Sequence, residues 1–121
     1  MKPLLSKDLP AFLNRFDYFK NSEINEIEIV SPTTIKFIFK VQDRAREFNW
    51  INLKFEFNNI IDAKLPNISK LSLINMNDGI SIIHKDSTFA FALDNYNDFQ
   101  NIKNSISYVI CSNLKYQEDM F

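Results

Sequence analysis

Ile35-Lys36-Phe37-Ile38-Phe39-Lys40-Val41 and Trp50-Ile51-Asn52-Leu53-Lys54-Phe55-Glu56-Phe57 are the two runs whose reading decides the fold. In the first, Ile35, Phe37, Phe39 and Val41 recur at every second position, with Lys36 and Lys40 flanking Ile38 on the alternate ones. In the second, Ile51, Leu53, Phe55 and Phe57 alternate with Trp50, Asn52, Lys54 and Glu56. Successive strand side chains point to opposite faces, so a period of two assigns half-buried strands rather than helices. Only a polar segment, 42–49, separates the runs, which predicts a β-hairpin.

Upstream, Ser6 or Asp8 offers an N-cap, Pro10 lies in the first turn, and Leu9, Phe12, Leu13 and Phe16 share one helical face, which predicts a short amphipathic helix. From Glu23 the period becomes two, placing Ile27 and Ile29 opposite Glu26 and Glu28 until Ser31-Pro32-Thr33 breaks the strand. Downstream, Asn58-Asn59 suits a bulge or turn, residues 60–65 continue the sheet, and Pro66 ends it. Leu71, Leu73 and Asn75 are expected on one strand face, joined through the turn Asn77-Asp78-Gly79 to Ile80, Ile82 and His84 as a second hairpin. Phe89, Phe91 and Leu93 alternate with Ala90 and Ala92, small residues over which a helix fits. Towards the end, Phe99, Ile102, Ile106, Val109 and Ile110 fit helical spacing while Ile106, Tyr108, Ile110, Leu114 and Tyr116 fit a strand, and the favoured reading is a short helix at 98–103 followed by a strand at 105–116. The expectation is a β-rich α+β fold, a curved and mostly antiparallel sheet with one or two short helices.

At 121 residues the chain has the length of a single domain, 1–121, with hydrophobic residues at 45% and charged ones at 24%, which suits a folded globule. Fourteen Lys and Arg against fifteen Asp and Glu leave a net charge of -1, so no basic excess is present to neutralise a phosphate backbone, and nucleic acid is not an expected partner. Charges interrupt the first eight residues before a signal-peptide core develops, and no apolar run approaches the roughly 20 residues of a membrane-spanning helix. A cytoplasmic protein with no membrane partner is expected. Cys111 is the one cysteine, without a disulfide partner, and its apolar flanks predict a buried, inert thiol.

Few parts of a familiar active site are present. There is one His, His84, and one Gly, so neither a multi-histidine metal site nor a glycine-rich phosphate cradle is expected, and no nucleophile-elbow glycines surround a serine. Glu26 and Glu28 share a strand face, a spacing that a solvated face also gives. The expectation is no enzyme and no cofactor. A binding surface is easier to find. The segment 41–50 brings Asp43, Arg44, Arg46, Glu47 and Trp50 together, a mixture of arginine, acid and aromatic typical of protein interfaces, and these five are the candidate partner-binding residues. The alternative is a solvated loop whose Phe48 and Trp50 cover the outer sheet face or the first helix. Asp17, Glu23, Glu26 and Glu28 against Lys20 form a second, acidic set suited to a basic partner or to an outward face.

The order of elements adds a resemblance. Phe16-Asp17-Tyr18-Phe19-Lys20-Asn21-Ser22-Glu23-Ile24, Ile27-Glu28-Ile29, Ile35-Lys36-Phe37-Ile38-Phe39, Gln42-Asp43 through Phe48-Asn49-Trp50-Ile51, and Leu53-Lys54-Phe55-Glu56-Phe57 together resemble small bacterial immunity proteins of polymorphic toxin systems, in the style of the immunity protein 50 group. The likeness spans 16–65, with weaker agreement at 105–118. Members often open the first strand with Phe-His-Asp, where this chain has Phe19-Lys20-Asn21, so no His-based site carries over. The resemblance implies a non-enzymatic cytoplasmic protein that binds a cognate toxin domain and blocks it. The rivals are a small β-rich carrier with a Phe-lined ligand cavity, and a hydrolase or nuclease built on His84.

Overall fold

Residues 1–120 are described by a computed structural model. The alternating runs form an antiparallel sheet of seven strands: β1 (Lys2–Pro3), β2 (Glu23–Ser31), β3 (Thr34–Asp43), β4 (Asn49–Lys64), β5 (Ile80–Lys85), β6 (Thr88–Leu93) and β7 (Tyr108–Met120). Their spatial order is β2-β3-β4-β7-β6-β5, with β1 pairing β7 at Lys2↔Tyr116 and Pro3↔Lys115. Two helices accompany them, α1 (Leu9–Arg15) and α2 (Phe99–Lys103). The first hairpin closes as its pattern requires: Phe37 lies opposite Phe55, Phe39 opposite Leu53 and Gln42 opposite Trp50.

This register stacks the apolar positions of β2, β3, β4 and β7 on one face, where α1 and the turn after it cover them. Phe12 and Phe19 descend from that cover onto Phe55, Phe19 also onto Phe39, and Phe16 packs against Phe12 and Phe19. Phe19 lies 5.2 Å from Phe39 and 5.5 Å from Phe55, and Phe91 of β6 lies 4.9 Å from Phe57 and 5.0 Å from Phe37. Edge-on and tilted rings at these separations gain about 0.5–1.5 kcal/mol per pair beyond burial, and a fully buried Phe contributes roughly 1.5–3 kcal/mol.

The opposite face carries a smaller core. Ala90, Ala92, Tyr108 and Ile110 pack under Ile102 and Phe99 of α2, as the small residues of β6 require of an overlying helix. Asp98 caps α2 by accepting the Asn101 N–H at 2.8 Å. Ser81 fastens the loop before it, donating to the Asp94 carbonyl at 2.6 Å and accepting the Tyr96 N–H at 2.7 Å.

Three expectations need correction. Residues 71–75 are not a strand: Ile68–Leu73 forms a 3-10 segment, opened by Asn67 accepting the Ser69 N–H, and Leu73 faces solvent at 76% exposure. The second hairpin therefore joins β5 to β6, with Ile82 opposite Phe91, and turns at Asp86 and Ser87, whose φ values of 52° and 62° suit a two-residue hairpin turn. The last strand begins at Tyr108 rather than 105, because Ser105 donates to the Ile102 carbonyl at 2.6 Å and closes the helix, and it runs past 116 to Met120 along β4. Pro66 does end the sheet, and residues 60–64 continue β4 through a bulge at Ile61.

Cys111 is fully buried, and burial pushes its thiol up to about 12. A thiol reagent is expected to leave it unmodified in the native protein and to react fully in denaturant, read by mass spectrometry. Rapid native labelling would contradict its burial.

Candidate protein interface at the first hairpin turn

The period of two in β3 does not stop at Val41. Continued by one step it turns Asp43 inward, and the Asp43 side chain is fully buried at the end of the core. A buried carboxylate must be paired. Arg15, at the end of α1, donates to it twice, from Nε at 2.8 Å and Nη2 at 2.7 Å. Arg46 donates from Nε at 3.1 Å, and the Ala45 N–H donates at 2.9 Å. The same parity in β7 brings in Glu118, which accepts from Arg15 Nη1 at 2.7 Å and Arg46 Nη2 at 3.0 Å. Two guanidiniums and two carboxylates thus brace α1, the hairpin turn and β7.

Electrostatics in this brace run in two directions. Burial pushes the Asp43 carboxyl up, but Arg15, the Ala45 N–H and Arg46 together outweigh it and hold the group below its usual range. Glu118 is likewise raised by burial and lowered overall by Arg15 and Arg46. The hydrogen bond to Asp43 is the main cause that raises Arg15, against burial, and Glu118 adds to it. Charge-assisted bonds of this kind are the strong class.

A second loop lies beside this one. Asp17, Tyr18 and Phe19 take φ values of 51°, 55° and 61°, a left-handed turn without glycine, and Asn21 adds another at 61°. Such backbone costs roughly 1–2 kcal/mol per residue and persists where its surroundings hold it. Phe19 is anchored in the core, Ser22 donates to its carbonyl at 2.7 Å, and the Asn21 N–H donates to the Met76 carbonyl at 2.8 Å. Arg44 links the loops, reaching Asn14 at 3.3 Å and Asp17 at 3.4 Å. In the hairpin turn, Glu47 and Phe48 are also left-handed, at 58° and 64°, fixed by Phe48 N–H donating to the Asp43 carbonyl at 2.9 Å.

What these constraints hold outward is aromatic and charged. Phe48 is 58% exposed, Tyr18 42% and Trp50 38%, with Lys40 5.9 Å from the Trp50 ring. Of the five residues predicted from sequence, Arg44, Glu47 and Trp50 face solvent, Arg46 is half-buried with its guanidinium committed to Asp43 and Glu118, and Asp43 is inside. Asp43 is therefore corrected from a contact residue to the anchor of the turn. Phe48 is left largely to solvent. Arg15, Glu118 and Tyr18 were not singled out, although the inward parity of 35–41 and 114–116 was a signal for Asp43 and Glu118.

No family model, curated protein or solved structure matches the chain.

Other candidate chemistry is dispersed. Among the described residues no group of three or more His, Cys, Asp or Glu converges as a metal site. His84 is exposed and sits edge-on to Phe89 at 4.6 Å. Glu26 and Glu28 lie on the outward face of β2, opposite Ile38 and Lys36. No helix among the described residues is long and apolar enough to cross a membrane.

Proposed function

We propose that this chain works by binding another protein, as a cytoplasmic immunity protein that occupies and blocks a cognate bacterial toxin domain without catalysis of its own. One observation carries the reading: Tyr18, Phe48 and Arg44 on two loops, with Trp50 beside them at the start of β4, are exposed where the left-handed backbones of 17–19 and 47–48 are held by a partly buried ion network and the aromatic core. Arginine and aromatic side chains dominate protein interfaces, and a preorganised loop loses little further freedom on association. The resemblance of 16–65 to immunity proteins names the kind of partner. Asp17 and Glu47 add acidic groups suited to the basic surface of a toxin that attacks nucleic acid.

The rival carrier needs an interior cavity among the Phe side chains. Phe37, Phe39, Phe55, Phe57 and Phe91 instead lie ring against ring at 4.9–6.3 Å, so a ligand would have to part them. The test is co-purification with the toxin domain encoded beside this chain, followed by affinity measurement. The combined Arg44→Ala, Phe48→Ala and Trp50→Ala variant is expected to lose on the order of 100-fold or more in affinity while keeping its fold. Unchanged affinity in a folded variant sinks this surface, and failure of the intact chain to bind sinks the function.

A further inference from the structure

β2 pairs with β3 alone, so its other edge leaves backbone N–H and C=O groups without a strand partner. Irregularities at Asn25 and Val30 bound a regular run, 26–29, in which the two faces differ sharply in chemistry. Glu26 and Glu28 point outward, on the same face as Glu23. Neither Glu26 nor Glu28 forms an ion pair among the described residues, and Lys36, directly opposite Glu28, has its ammonium 3.8 Å from Glu56. On the core face Ile27 is buried, while Ile29 is 58% exposed for want of a neighbouring strand. Beside the start of β2 a groove of about 550 Å³ runs between Glu23, Ile24 and the 3-10 segment, with Ile68, Leu71 and Ile74 in its walls.

We propose that the free edge of β2 accepts an extended segment of another protein in which Lys or Arg alternates with apolar residues. A strand added there places alternate side chains on opposite faces of the sheet. Those on the outer face meet Glu26 and Glu28, and those on the inner face cover Ile29. A second copy of this chain does not satisfy the edge, because antiparallel pairing of two β2 strands sets glutamates beside glutamates, which is destabilising. The proposal goes beyond the toxin reading and does not depend on it, since it uses a different strand and fixes the partner by charge and period.

The probe is a labelled ten-residue peptide of alternating Lys and Val, compared by fluorescence anisotropy with a peptide of the same composition in which Lys and Val form two blocks. The alternating peptide is expected to bind at least tenfold more tightly, to weaken at high salt, and to weaken at least tenfold with the Glu26→Lys and Glu28→Lys double variant. Hydrogen exchange on the unaltered protein is expected to slow at 26–29 when the alternating peptide is added, a readout that needs no variant. Equal binding of the two peptides reduces the effect to charge alone and overturns the proposal. So does protection confined to other segments, or dimerisation of the free chain through 26–29. The Arg44, Phe48 and Trp50 variant is expected to bind the peptide normally, which separates this site from the proposed toxin surface.

Discussion

Gly79→Ala is expected to destabilise the protein by about 2–5 kcal/mol, although it adds a single methyl group. Gly79 has a φ of 72°, and a Cβ placed on it runs into the Tyr18 carbonyl oxygen and lies 2.9 Å from its carbon. Both obstacles are backbone, so no side chain can swing aside. The cost combines left-handed strain with displacement of the turn that seats Phe19 in the core. That displacement spreads: the Gly79 N–H donates to the Met76 carbonyl, which also accepts the Asn21 N–H, and the Gly79 carbonyl accepts the Asp94 N–H at 2.9 Å. Urea unfolding at neutral pH measures the loss. A midpoint equal to that of the unaltered chain would show that Gly79 and Tyr18 are not in close contact.

The second large effect is expected at Asp43. Removing one member of a buried ion pair costs about 3–5 kcal/mol when the charge left behind stays buried. Arg15 and Arg46 are 28% and 38% exposed at their side chains, so water partly compensates, and Asp43→Ala is expected to lose about 2–4 kcal/mol. Glu118→Ala is expected to cost less, because its carboxylate is nearer the surface and accepts no backbone N–H in the brace. Equal losses at the two sites would argue against Asp43 as the anchor.

The pH dependence has a definite sign. Asp43 and Glu118 are held below their ordinary values of 3.8 and 4.5 in the folded chain. An unfolded chain therefore binds these protons first as pH falls. The contribution of the brace to stability is complete above the ordinary values and disappears as pH drops through the lowered folded ones. Unfolding curves at pH 7 and pH 3 are expected to diverge for the unaltered protein and to lie closer together for Asp43→Ala. The same pH sensitivity in both proteins would assign the acid response to other groups.

Much of this architecture was legible because it is written at short range. The alternation of 35–41 and 51–57 sufficed for the first hairpin, and Ala90 and Ala92 announced the helix above them. The strand assignment at 71–75 failed because Leu71 and Leu73 satisfy a period of two as readily as they satisfy a turn with one side chain exposed. Asn67 capped that turn and settled the matter. The candidate surface was legible in part for the same reason. Arg44, Glu47 and Trp50 lie within seven consecutive residues, whereas Tyr18 joins them only through the contact of Arg44 with Asp17, 27 positions away.

The amino-acid sequence by itself determined which residues face inward along β3 and the first half of β4, since a strand admits two sides and apolar atoms choose one. Even Asp43 and Glu118 follow that rule. Only the tertiary structure decided what an inward carboxylate would meet. Arg15 stands 28 positions from Asp43 and 103 from Glu118, and their meeting depends on the closed sheet and the docked helix rather than on any local preference. Period is a property of neighbours along the chain, while charge pairing is a property of neighbours in space.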